Sequence, residues 1–267
     1  MTNHYRLGWR RDLPDHRDFK FSARPESVAA LPNFVDLRAN DTPVLDQGNL
    51  GSCTAHAAVA AFEWLQKARQ KGKYVAGSRL FIYKESRDID GEKGDVGSSL
   101  RSAAKAMANY GVPPETIWPY IVSRFDVEPP ASVKKEAVKA KSTNYWRVDG
   151  GSYNGTLINM KTALAAVPGS PTGLPVMFGF TCYDSAFDVG TSGMIPIPRT
   201  GEQPAGGHAI IAMGYDNSKN ALLIKNSWGT AWGMRGYGWL PYWYVVNGLV
   251  ADCWSIGGES ELGVNAG

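Results

Sequence analysis

The chain has 267 residues, 28 Lys and Arg against 25 Asp and Glu, a formal net charge of +3, and 43% hydrophobic and 20% charged residues. This is the composition of a folded globular protein with enough chain to bury a large core; it excludes a disordered or fibrous one. The net charge gives no argument for nucleic acid, no apolar run approaches the roughly 18–20 residues that span a bilayer, and three cysteines cannot make a disulfide scaffold.

Residues 1–30 are polar, with Pro14 and Pro25 and mixed charges from Arg10 to Asp18, and show neither helical nor alternating period. They read as an extended arm. Trp9, Leu13, Phe19 and Phe21 are too apolar for a free tail, so the arm is expected to dock on the body. The first ten residues lack the apolar core of a signal peptide, so the default expectation is the cytoplasm, with signal-independent export left open. A short strand is expected at 33–38. A polar, glycine-rich loop, Leu45-Asp46-Gln47-Gly48-Asn49-Leu50-Gly51-Ser52, then leads into a helical pattern from Cys53 to Gln70. Apolar residues at 55, 58, 59, 62 and 65 predict one buried stripe, and Gly72 a stop. Cys53 would sit at the helix N-terminus, where free N–H groups and the macrodipole bias a thiol toward thiolate.

Two further helices are expected over 78–86 and 99–109, the second stopped by Gly111 and Pro113-Pro114. The acidic loop between them, Asp88 to Asp95, superficially resembles a calcium loop, but Lys93 stands where the turn glycine belongs. It reads as a solvated turn, and no metal or other cofactor is expected. The basic stretch around Lys134, Lys135, Lys139 and Lys141 reads as a solvated helix face, and Pro129-Pro130 opens the best boundary between halves, near residue 142. From Tyr145 the character changes: a strand at 145–148, a helix from Thr156 to Val167, then short apolar segments at 175–181, 208–215 and 221–225. These predict antiparallel sheet.

Cysteine chemistry needs a base for the proton, a group to orient that base, and donors for the developing oxyanion. His208, after Gly206-Gly207, opens an apolar strand; Asn226 directly follows the next one, so a hairpin would bring the two together. Gln47, six residues before Cys53, can offer its amide N–H above the thiol, with the Cys53 backbone N–H as a second donor.

The segments Leu45–Cys53, Gly207-His208-Ala209-Ile210, and Asn226-Ser227-Trp228-Gly229 through Trp232 to Gly236-Tyr237-Gly238 resemble the active-site segments of papain-like cysteine peptidases. Leu31–Arg38 is similar to the start of their mature enzymes, and Tyr110–Tyr120 to the turn after their second helix. The Cys53–His208 spacing slightly exceeds the roughly 130–150 residues quoted for the family. The resemblance implies an α+β, two-lobed fold: a helical left lobe over about 31–142, an antiparallel β-barrel-like right lobe over about 143–267, and a cleft between. It implies a cysteine peptidase acting on peptide or protein substrates, with a thiolate–imidazolium pair of Cys53 and His208, Asn226 as orienting group and Gln47 in the oxyanion hole. Trp228 would shield the His–Asn bond. Substrate contacts fall on Gly97, Ser98, Gly207, Phe178, Trp228 and Trp232, with a hydrophobic subsite floored by Phe178 and Ile256.

There are departures. The usual disulfide partner beside the nucleophile is Leu50, and Cys182 and Cys253 read as buried thiols. Gly97-Ser98-Ser99 stands where a glycine pair is usual, which predicts a narrower cleft. Only residues 1–30 precede the mature-like start, so they are expected to act as a short inhibitory pro-segment of a monomeric zymogen. The rival readings are a thiol amidase or acyltransferase on the same fold and a non-catalytic binding module.

Overall fold

A computed structural model describes residues 5–142, 144–165 and 173–257. Helix α1 (Pro25–Ala29) lies within the arm and β1 (Phe34–Asp36) opens the body. Helices α2 (Cys53–Arg69), α3 (Arg79–Ile89), α4 (Leu100–Asn109) and α5 (Ala131–Ala137) follow. The remaining elements are β2 (Asn144–Arg147), α6 (Tyr153–Leu164), β3 (Val176–Tyr183), β4 (Pro204–Asp216), β5 (Ala221–Lys225), β6 (Tyr237–Pro241), α7 (Tyr242–Val246) and β7 (Val250–Gly257). Serines start three helices: Ser78, Ser99 and Ser152 accept from the N–H groups of Phe81, Ser102 and Gly155, satisfying first-turn donors. Cap Ser152 moves the start of α6 ahead of the expected Thr156; its expected end, Val167, lies outside the described residues.

Helix α2 differs from the single-stripe expectation. Every residue from Cys53 to Leu65 is buried, because α3 and α4 pack on one side and β3 and β4 on the other. The alanines at 55, 57, 58, 60 and 61 keep the helix thin enough for both layers to approach. Its one buried carboxylate, Glu63, forms two 2.9 Å contacts with Arg79 and accepts from Thr42 and the Gly77 N–H, so the charge is compensated.

The sheet is antiparallel in the order β2-β7-β3-β4-β5-β6, with β1 added to the far end of β4. It does not close, which corrects the barrel-like expectation. Closure would need β2 to pair with β6. Instead the outer edge of β2 bridges the arm at Lys20–Arg147, and β6 bridges Met194 at Trp239, so each edge is covered locally. A continuous core joins α2, α3 and α4 to this sheet through Trp64, Phe81, Phe178, Tyr244 and Trp254.

Candidate active site

Cys53 is the first residue of α2 and is fully buried; its Sγ accepts the Ala209 N–H at 3.4 Å. The thiol therefore lies beside the residue that follows His208. The β4–β5 hairpin, with Ile211 opposite Lys225, carries Asn226 back to His208. His208 Nε2 lies 2.8 Å from Asn226 Oδ1, and Nδ1, also buried, has no hydrogen-bond partner. One ring nitrogen is thus committed to Asn226 and the other is left for the thiol. Trp228 stacks on the imidazole at 4.5 Å between centroids, which keeps water from the His–Asn bond. Trp232 stands edge-on behind Trp228 and donates Nε1–H to the Ala186 carbonyl.

Gln47 is held from two directions. Its N–H bonds to the Ser227 carbonyl at 2.8 Å, and Ser227 Oγ donates to Gln47 Oε1 at 2.6 Å. This fixes the amide so that Nε2 donates to Leu50 O and Arg6 O, both at 2.9 Å. Sequence reasoning missed Ser227, although it directly follows Asn226; no local signal said that its hydroxyl would reach back 180 residues.

The second acceptor on Gln47 belongs to the arm, which runs straight through the cleft. Trp9 N–H donates to Gly207 O, Arg10 N–H to Ser98 O, and Ser98 N–H to Gly8 O, at 3.1, 3.0 and 2.9 Å. The arm and the 97–99 segment are parallel around the Trp9–Ser98 bridge. Ser98 presents backbone to the cleft and turns its hydroxyl onto Thr54. Backbones approach closely at two glycines: a Cβ on Gly8 would lie 2.0 Å from Gly51 O, and one on Gly97 (φ +75°) 2.1 Å from Gly8 O. Tyr5 stacks on the outer face of Trp228 at 5.0 Å. The acidic 88–95 loop pins the arm, Asp95 bonding Arg6 and Glu92 bonding Arg10. It is a largely exposed turn that also supplies partners to the arm, and among the described residues no cluster of ligands suits a metal.

One expectation about the cleft, Phe178, needs correction. Trp9 rests on Gly179 and Gly207. Strand alternation turns Phe178 to the other face of β3, where it is fully buried. Trp9 Nε1–H instead meets Asp252 Oδ2 at 3.1 Å. Of the arm's apolar residues, Trp9 and Phe21 dock, whereas Leu13 and Phe19 are 80% and 75% exposed.

The model of the papain family of cysteine proteases matches residues 31–245. The chain belongs to that family. It is 36% identical over 276 residues to an uncharacterized peptidase C1-like protein of Acanthamoeba polyphaga mimivirus, covering 94% of this chain and 86% of that one. It is 30% identical over 233 residues to chymopapain of Carica papaya, covering 84% of this chain but 57% of chymopapain. Among solved structures, xylellain, a cysteine protease from Xylella fastidiosa, superposes with a TM-score of 0.82 at 34% identity, covering 96% and 98% of the two chains. The protein is a papain-family cysteine peptidase with the corresponding fold.

The docked arm shuts Cys53 and His208 off from solvent. Burial pushes the Cys53 thiol up to about 11, although N–H groups of Ala209 and Gly8 oppose it. Burial also lowers His208 to about 4, against the bond it donates to Asn226. Desolvation disfavours both charged forms while the arm covers the site. His56, one turn along α2, is buried against Tyr120 and Ser52 and is lowered to about 3 by burial and then by Arg79.

Proposed function

We propose that Cys53 is the nucleophile, His208 its base and acid, Asn226 the orienting group, and Gln47 with the Cys53 N–H the oxyanion donors of peptide-bond hydrolysis. The arrangement that carries this is the His208 imidazole, fixed at Nε2 by Asn226 with Nδ1 unpartnered, beside a thiol at a helix N-terminus. Once the cleft opens to water, His208 Nδ1 takes the Cys53 proton and the thiolate attacks the peptide carbonyl. The oxyanion forms against Gln47 Nε2. His208 then gives the proton to the leaving amine, and activates a water that releases the acyl group from sulfur. Cys53→Ala should abolish hydrolysis, and product analysis should find free acid, not an acyl group transferred to a second amine.

We also read residues 5–12 as an intramolecular inhibitor. The carbonyl on Gln47 is that of Arg6, while Gly8 faces the thiol through its N–H and spends its own carbonyl on Ser98. Both of these carbonyls are thus engaged by donors other than the thiol.

A further inference from the structure

A cavity of about 300 Å³ lies between α2, the start of α3 and the turn at 114–120, and hydrolysis at Cys53 makes no use of it. It opens beside Leu45 and Ala76, both exposed, and none of residues 5–12 lines it. That is far more space than one or two waters fill. Two buried atoms of its lining residues lack hydrogen-bond partners: Arg79 Nε, on a side chain 3% exposed, and Glu115 Oε2. The rest of each group is engaged. Arg79 Nη1 and Nη2 are on Glu63, and Glu115 Oε1 accepts the Tyr120 N–H at 2.5 Å. The two residues are neighbours, because Glu115 N–H donates to Ala76 O and Ser78 N–H to Pro113 O. Burial raises the Glu115 carboxyl, against the Tyr120 N–H and the Arg79 charge, so its ionised form is short of compensation. Among the described residues lining the cavity, Asp46, Glu63 and Glu115 carry carboxylates against the single guanidinium of Arg79. A positive charge is missing.

We propose that this cavity is a second binding site, for the free amino terminus of a peptide. The α-ammonium donates to Glu115 Oε2, the carbonyl oxygen of the same residue accepts from Arg79 Nε, and its side chain packs against Tyr74 and Tyr120. One terminal residue thus brings the charge, the donor and the acceptor that the two buried atoms lack. Peptide hydrolysis frees one such terminus for each bond cut, so the reaction at Cys53 would supply the ligand. The site touches that reaction from behind. Tyr120 Oη donates to Gln47 O at 3.0 Å and meets Ser52 Oγ at 2.6 Å, so an occupant leaning on Tyr120 bears on the loop that leads to the nucleophile. The inference goes beyond the peptidase reading, and its test needs no turnover.

The test is a ligand-observed NMR titration of the full chain carrying Cys53→Ala. The probes are phenylalaninamide, its N-acetyl derivative, which has no ammonium, and phenethylamine, which has no carbonyl. Phenylalaninamide should bind about tenfold or more tighter than either, the scale of a hydrogen bond to a charged group. Adding Glu115→Gln, which keeps an oxygen for the Tyr120 N–H, should erase the preference over the N-acetyl form. Adding Ala76→Phe instead, which fills the mouth and leaves both polar atoms in place, should block binding. Absence of saturable binding, equal affinity for the N-acetyl form, or an affinity unmoved by either added variant would overturn the proposal. Phenethylamine as tight as phenylalaninamide would overturn the amino terminus as the ligand. Each of these failures leaves the chemistry at Cys53 untouched, since that residue is absent from the protein titrated.

Discussion

Gly8→Ala should convert the resting enzyme to an open one. A Cβ at this position would sit 2.0 Å from Gly51 O, 2.4 Å from Gly51 C and 2.7 Å from Gly51 Cα. All three are backbone atoms of the loop leading into α2 and cannot rotate away. Reaching an ordinary contact of 3.4 Å moves the arm out by about 1.4 Å, enough to break the bonds to Gly207, Ser98 and Gln47 that flank the thiol. Four hydrogen bonds at a net ~0.5–1.5 kcal/mol each place the lost closure energy at roughly 2–6 kcal/mol. At 1.4 kcal/mol per tenfold, the open population should rise by about 30-fold or more. Opening also rehydrates Cys53 and His208, removing the burial that disfavours their charged forms. The assay is intact-mass labelling by limiting iodoacetamide at pH 7. Cys53 should label at least about 30-fold faster in Gly8→Ala than in the wild type, while buried Cys182 and Cys253 stay unlabelled and report that the fold is intact. Equal Cys53 rates in the two proteins, with the other thiols protected, would refute the reasoning.

In the same open background, Gln47→Ala should lower kcat by about 10²–10³-fold with a smaller change in KM, as expected for a donor engaged most strongly by the oxyanion; progress curves with a fluorogenic peptide check it. The docked arm should also respond to pH. Burial first, and the neighbouring Asp252 charge second, raise the Asp12 carboxyl above its ordinary 3.8, against bonds from Trp254 and Arg101. A carboxyl raised in the folded state contributes stability below its unfolded value and loses it as pH climbs through the raised one. Melting temperatures of wild type minus Asp12→Asn should therefore fall as pH rises from 4 toward neutrality; a flat or rising difference would contradict the linkage. Finally, Glu63→Ala strands the buried Arg79 guanidinium and should cost ~3–5 kcal/mol in urea unfolding. A loss under about 1 kcal/mol would mean that Arg79 finds other partners or water.

The residues gathered in the cleft were legible because each sits at a punctuation mark of local structure. A glycine-rich loop before an alanine-rich helix set Cys53, and apolar runs ended by Gly207 and by Asn226 set a hairpin. Caps at Ser78 and Ser99 marked the helices for the same local reason. The arm's apolar residues said that it docks, but nothing local distinguished Trp9 and Phe21, which dock, from Leu13 and Phe19, which stay in water.

The sequence by itself marked the helices from Cys53 to Asn109 and the strands at 175–181, 208–215 and 221–225, since these follow from periodicity and turn chemistry over a few residues; it did not mark β6, α7 or the interior strand β7. Only the tertiary structure decided what depends on distant chain. It left the sheet open, since Lys20 and Met194 rather than the opposite strand cover its edges. It buried α2 on all sides, because two layers converge on its alanines. It put Gly179 and Asp252 in the cleft instead of Phe178, through strand parity and a bond across 243 residues. And it buried Cys53 beneath a segment some forty residues upstream, whose removal of solvent works against the thiolate.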